Sequence, residues 1–344
     1  MPASVMKPSL LLSLTVLTLL PGLSAPAQKT DVRGITRAAY QGWPDAFHCE
    51  TRDAAPRAVV VPDLGGRVMA YGLRDQNLLW VNPETTGRSF KEGDAPFEPG
   101  GFRCDLGPEV GALPPHPALL LGRYEWSSKR RAVLTMRGPE DKTLGAQMGK
   151  EISFDPATGD LGFVHRVKNT SERLAAFTFW HRIACQPGGF AFFPLNPKSR
   201  FPSGWSMRRE EGGRLRYDVE SPTSPAVRIL DGVLVVRTSG DAPAAKIGAD
   251  SDGQWLAYAL GKTLFIIQFP YYGNAIYSEA GNSVTVSWDG KTTELQPLSP
   301  ESRLRPGKYY DFPMKWSLVE LPAEVTTHEQ ARALVEKIPS SPFL

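Results

Sequence analysis

Short apolar runs alternate with turn residues along most of the chain. Runs rich in Val, Ile, Phe, Tyr and Trp recur, and Gly, Pro, Asp and Asn separate them, which is the pattern of β-strands joined by tight connections. It predicts strands over 58–61, 67–73, 77–81, 132–136, 149–154, 161–167 and 175–183. A second series follows over 227–229, 233–238, 256–260, 264–269, 282–288, 293–297 and 309–318. Asp289-Gly290 is a hairpin signal between two of these runs, and 155–160 reads as another tight connection. One helix is predicted at the end of the chain. Thr326-Thr327-His328-Glu329 resembles a capped start, and Ala331, Leu334, Val335 and Ile338 then fall at helical spacing before Pro339. The least strand-like stretch, 82–118, is dense in Gly and Pro, and so long an irregular segment inside a compact β domain is usually functional. No Gly- or Ser-rich linker divides the chain and no repeat of fixed period occurs. The expectation is one all-β domain, a large antiparallel sandwich or barrel.

The first residues follow a different pattern. Lys7 precedes an apolar run over 10–20 interrupted by Ser13, Thr15 and Thr18; Pro21-Gly22 breaks it, and Ala25-Pro26-Ala27 is an A-x-A-type cleavage site. The run is about half the ~20 residues needed to span a bilayer. It predicts a cleaved export signal over 1–27, a mature domain over 28–344, and a periplasmic or extracellular location. No Cys follows the run, so a lipid anchor is not indicated, and no second long apolar stretch predicts a membrane span. Composition agrees with an exported globular domain. Hydrophobic residues make up 41%, enough for a core, and 39 Lys and Arg against 36 Asp and Glu leave a net charge of +3, without the basic excess of a nucleic-acid partner. A monomer is expected.

Candidate chemistry is sparse. Cys49, Cys104 and Cys185 form no C-x-x-C pair; export permits a disulfide, the odd count leaves at least one thiol unpaired, and three buried thiols are an equal alternative. There is no phosphate-cradling P-loop, no G-x-S-x-G elbow and no H-E-x-x-H zinc helix, so no cofactor or metal is implied. What remains is chemistry that His and carboxylates perform unaided. The histidines are His48, His116, His165, His181 and His328. His328 belongs to the helix cap, His181 sits in an otherwise apolar and aromatic strand, His116 lies in the irregular segment, and alternation could turn His165 outward.

The order of several motifs carries a resemblance. Thr293-Glu294-Leu295-Gln296, followed by Leu304-Arg305-Pro306-Gly307-Lys308-Tyr309-Tyr310, resembles the C-terminal pattern of the galactose mutarotase (aldose 1-epimerase) superfamily. Val61-Pro62-Asp63-Leu64-Gly65-Gly66-Arg67-Val68-Met69-Ala70-Tyr71 resembles its opening strand pair, and Gly100-Gly101-Phe102-Arg103 its arginine loop. Lys168-Asn169-Thr170-Ser171 and the strand reaching His181 resemble the pair that presents a catalytic His. The resemblance implies a β-supersandwich with a sugar cleft and a short C-terminal helix. It implies Glu294 as a base that takes the anomeric proton and His181 as an acid that protonates the ring oxygen. It also implies Arg103, His116 and Tyr277 as ligands of sugar hydroxyls, and Trp180 or Trp205 as a platform for a pyranose face. Two departures stand out. The His strand reads Trp180-His181-Arg182-Ile183-Ala184-Cys185, and Ala275-Ile276-Tyr277 lacks the sugar-binding Gln. Two functions follow: an exported mutarotase-type isomerase, or a non-catalytic carbohydrate-binding module for a sugar or oligosaccharide. A third is a lyase or glycosidase with Tyr271, Tyr272 or Tyr277 carrying protons.

Overall fold

Alternation along single strands shows how the sequence builds the core. In Ala146–Phe154 every second residue is buried and the residues between are half-exposed, the mark of a strand with one face against a core. This computed structural model describes residues 35–343 except 54, 111, 112, 114, 115, 240 and 241. The predicted export signal lies outside the described residues.

Among the described residues, twenty-two strands form two antiparallel sheets. The larger runs in the order Thr36–Tyr40, Trp43–Glu50, Pro56–Val61, Arg67–Leu73, Phe102–Gly107, Ala175–Cys185, Thr293–Pro297, Val284–Trp288, Ala245–Ala249, Ser206–Glu211 and Arg214–Asp218, with Ser302–Leu304 paired to one end of Ala175–Cys185. The smaller runs Val227–Leu230, Val233–Arg237, Phe190–Pro194, Trp255–Leu260, Thr263–Gln268, Tyr309–Glu320, Leu161–Asn169, Ala146–Phe154, Val133–Asp141 and Glu125–Ser127. The all-β supersandwich is therefore observed.

The main core lies between the sheets and is strongly aromatic. Trp316 has ring centroids at 4.7 Å from Phe163, 4.8 Å from Phe102 and 5.0 Å from Phe265. Outside the smaller sheet, Phe190, Phe192, Val233, Val235, Ala257 and Leu264 pack under Ala331 and Leu334. Those two residues belong to the C-terminal helix His328–Ala333 and its 3₁₀ extension Leu334–Lys337. Its start is a capping box, with Thr327 accepting from Gln330 N and Gln330 reaching back to the cap backbone. A second one-turn helix, Pro117–Leu121, follows the irregular segment. Among the described residues no helix is long and apolar enough to cross a membrane.

Two expectations need correction. Residues 77–81 form no strand; Leu79 and Val81 make only single bridges to Cys185 and Gly100. Asn77 Oδ1 accepts from the backbone of Tyr71 and Leu79, which bends the chain where a ladder would continue. Conversely, Phe102–Gly107 lies inside the segment expected to be irregular. Positive-φ glycines precede it: a Cβ on Gly101 (φ +69) would meet Val68 O at 2.6 Å, so only glycine brings this strand against its neighbour. The hairpin after Val284–Trp288 closes through 289–292, where Asp289 Oδ1 accepts from Lys291 and Thr292 N.

Candidate functional site

The candidate site is on the face of the larger sheet that points away from the main core. Period two decides membership. On Ala175–Cys185, Phe177, Phe179, His181, Ile183 and Cys185 point inward, where all but His181 join the main apolar core. Trp180 and Arg182 point to the opposite face, where Trp180 packs with Tyr277 and Leu298. Thr293–Pro297 sends Leu295 inward and Glu294 and Gln296 outward with them. Register then aligns the row. Glu294 pairs with Ala184 on one side and Ser287 on the other, and Ser287 pairs with Lys246.

Arg182 and Arg103 are direct cross-strand partners, an arrangement that like charge alone would make unfavourable. Asp105, opposite Trp180, resolves it by lying 3.0 Å from Arg103 Nε and 3.6 Å from Arg182 Nη1. The alternation continues in both directions. Arg103 also pairs with Glu98, which lies 3.0 Å from Arg67. At the other end Arg182 holds Glu294 through both nitrogens Nε and Nη2, at 2.8 to 3.1 Å. A second alternating row runs alongside. Arg208 donates to Glu109 at 2.8 Å, Lys246 Nζ lies 2.5 Å from Glu109 and 3.7 Å from Glu279, and Tyr217 donates to Glu279 at 2.9 Å. Trp180 joins the two rows. Arg182 Cζ and Lys246 Nζ each lie 4.6 Å from its ring centroid, and its Nε1 donates to Gln296 Oε1 at 3.2 Å.

Between the rows opens a cleft of about 300 Å³ lined by Glu109, Trp180, Arg182, Arg208, Lys246, Ser287, Asp289, Thr292, Glu294 and Gln296 among others. Burial pushes the Glu294 carboxyl above the usual carboxylate range, opposed by the positive charges of Arg103 and Lys246 and by the hydrogen bond from Gln296. The cleft thus presents cations that are already matched inside the protein, together with amide, hydroxyl and carboxylate groups able to bond a polar ligand.

The predicted site residues divide. Glu294, Trp180 and Arg103 share the cleft face, although Arg103 is held by Glu98 and Asp105 at its edge. Trp180 is only 8% exposed and carries two cations on its ring, so it is not an open platform for a sugar. Tyr277 packs beside Trp180 and stacks on Tyr271 at 5.6 Å, its hydroxyl accepting from Tyr272 N. His181 does not meet Glu294: it faces between the sheets, fully buried, one residue out of phase with Trp180 and Arg182. The polar cleft therefore lacks the acid expected of it. His116 directly precedes Pro117–Leu121, with no side-chain hydrogen bond to its first turn, and is absent from the cleft lining, and Trp205 belongs to the main core. His165, expected on the outward side, is fully buried. All three cysteines are buried free thiols.

Sequence reasoning missed Arg182, Lys246, Glu109, Arg208 and Gln296. For Gln296 and Arg182 the signal was present, since each lies two residues from a cleft-facing residue on its own strand. For Lys246, a lone lysine in a short strand, there was none. Of the Gly- and Pro-dense segment, Glu109 lines the cleft, and Glu98, Arg103 and Asp105 pair at its edge.

No protein-family model matches this chain, and no curated protein does. Solved structures do match in fold. A galactose mutarotase-like protein from Lactobacillus casei has a TM-score of 0.53 at 12% identity, over 79% of this chain and 100% of that one. Another, from Clostridium acetobutylicum, has a TM-score of 0.52 at 12% identity, over 83% and 98%. A galactose mutarotase related enzyme from Lactobacillus acidophilus has a TM-score of 0.51 at 11% identity, over 81% and 100%. With two antiparallel sheets of its own and a match over nearly the whole length of each of these structures, this chain has the galactose mutarotase-like fold.

Proposed function

We propose that this protein is an exported carbohydrate-recognising protein that binds a neutral sugar or oligosaccharide unit in the cleft between Glu294 and Lys246 without turning it over. One observation carries the reading. Every cation lining the cleft is paired with a carboxylate, so the lining is rich in hydrogen-bonding groups yet leaves no cation waiting for an acidic ligand, while Asp289, outside these pairs, accepts from Lys291 and Thr292 N. A polyhydroxylated neutral ring suits such a lining, because each hydroxyl both donates and accepts. Turnover of the mutarotase type needs an acid and a base on opposite sides of one ring. His181 is on the wrong side of its strand for that role, and Arg182 engages the Glu294 carboxylate through two nitrogens.

The test is saturation-transfer NMR against a panel of neutral and acidic mono- and oligosaccharides, with anomeric exchange of freshly dissolved α-D-glucose and α-D-galactose followed in parallel. Binding of neutral sugars, weakened about tenfold in Glu294→Gln through loss of a charge-assisted hydrogen bond, without faster anomeric exchange, supports the reading. Binding confined to acidic sugars refutes it. The second reading is an aldose 1-epimerase-type isomerase with Glu294 as base. It is favoured by the upward-shifted Glu294 carboxyl, and anomeric exchange accelerated by the wild type but not by Glu294→Gln would establish it.

A further inference from the structure

Away from the cleft, three soft donors converge between the sheets. Cys104 comes from Phe102–Gly107 and His181 from Ala175–Cys185, as direct register partners. His165 comes from Leu161–Asn169 of the facing sheet. The Cys104 Sγ and one ring nitrogen of each histidine all lie within 4.8 Å of one another. The three residues are 2%, 0% and 0% exposed. The histidine rings meet edge to face, with centroids at 4.9 Å.

Three of the four ring nitrogens here are unsatisfied, while the Cys104 thiol donates to Asp105 O at 3.9 Å. Neither ring nitrogen of His165 has a hydrogen-bond partner, and neither does Nε2 of His181. Each orphaned buried group is destabilising, and native interiors rarely leave such groups unpaired. The surroundings are Phe102, Phe163, Phe179 and Phe312, whose rings contact the imidazoles and cannot accept in their place. Phenylalanine at both histidine positions would suit that shell without the penalty. One nitrogen is engaged: His181 Nδ1 lies 3.0 Å from Pro297 O. A carbonyl can only accept, so Nδ1 carries the proton and the Nε2 lone pair is left without a partner. That is the tautomer that a backbone carbonyl imposes on a metal-ligating histidine.

We propose that Cys104, His165 and His181 bind one soft monovalent metal ion of the copper(I) class between the two sheets. Donors about 2.0–2.3 Å from a shared ion stand about 3.3–4 Å apart, so the widest pair here has only about 1 Å to close. Thiolate selects soft ions, and imidazole accepts copper. Charge decides the valence. Binding replaces the Cys104 thiol proton with the ion and releases that proton to solvent, so a monovalent ion adds no net charge to the core. A divalent ion would leave one uncompensated positive charge near Lys150, a buried ammonium whose strand position is the register partner of His165. An uncompensated buried charge is strongly disfavoured. Zinc would also need a fourth donor, and among the described residues no other His, Cys or carboxylate joins the group.

The test is metal analysis of the full chain produced in cells grown with added copper and purified without chelator under anaerobic conditions. One equivalent of copper is expected in the wild type, in Cys49→Ser and in Cys185→Ser, and under a tenth of an equivalent in Cys104→Ser and His165→Phe. X-ray absorption of the loaded wild type keeps the proposal falsifiable even if those last two variants fail to fold. One sulfur and two nitrogen scatterers are expected around copper. Less than a tenth of an equivalent in the wild type, zinc in place of copper, two or more sulfur scatterers, or copper retained by Cys104→Ser would overturn it.

Discussion

Lys246→Met tests whether the second charged row is a structural unit. The Lys246 side chain is 1% exposed, and its ammonium lies 2.5 Å from Glu109 and 3.7 Å from Glu279, whose side chains are 23% and 0% exposed. Methionine keeps most of the volume and removes the charge. Breaking a buried ion pair from one side costs about 3–5 kcal/mol, because the remaining charge is left uncompensated. Two features reduce that figure here. Glu109 is partly solvated and keeps Arg208 at 2.8 Å, while Glu279 keeps Tyr217 Oη at 2.9 Å and Glu109 N at 2.8 Å. The expected loss is therefore about 2–4 kcal/mol. The assay is urea unfolding followed by fluorescence, with a fall in midpoint and an unchanged slope. Two comparisons make the argument sharp. Arg137→Met removes a pair whose side chains are 67% and 74% exposed, so it should change stability by less than about 0.5 kcal/mol. Adding Glu279→Gln to Lys246→Met should restore part of the loss, since the uncompensated charge is then gone. If Lys246→Met costs no more than Arg137→Met, or Glu279→Gln deepens the loss, the reasoning fails.

Three further outcomes are expected. The folded-state pKa of Glu294 is raised, so the folded chain binds more protons than the unfolded chain just above pH 4.5, and this group's contribution to stability declines as pH rises through that window; unfolding of the wild type and Glu294→Gln across pH 4 to 7 should show the wild type losing ground to the variant, and a constant difference would contradict the assigned cause. Gly101→Ala puts a Cβ 2.6 Å from Val68 O at φ +69 and should cost about 2 kcal/mol or more in thermal or urea unfolding, whereas Gly93→Ala, also at positive φ but with open space around it, should cost less. All three thiols are buried and free, so without reductant a thiol reagent should find almost none in the native protein and three after denaturation; one thiol on denaturation would mean a disulfide.

The legible parts of the fold are those whose causes are local. Runs such as Thr293–Pro297 and Arg67–Leu73 stand out because apolar and β-branched residues bounded by turn residues suit strands wherever they fall. The terminal helix is legible because its cap and its apolar spacing lie within a few residues of each other. Strands such as Ser206–Glu211, with two arginines and two glutamates in six residues, carry no such pattern. Their ladder bonds come from Ala245–Ala249 and Arg214–Asp218, and their charges are matched by residues far away, such as Glu109.

The same division runs through the site. Local pattern is enough for an all-β chain, a Glu on a strand followed by a Leu-Arg-Pro-Gly turn, and a Gly- and Pro-dense segment rich in polar side chains. Which face each residue takes depends on how the sheets pack. A phase difference of one residue sends Arg182 to the cleft and His181 to the core, and period two makes that choice absolute once one face of the strand is buried. Only the tertiary structure, too, could bring Lys246 to Glu109, or Cys104 and His181 to His165 on the opposite sheet. Those contacts join residues distant in the chain, and nothing in the local pattern at either end announces the other.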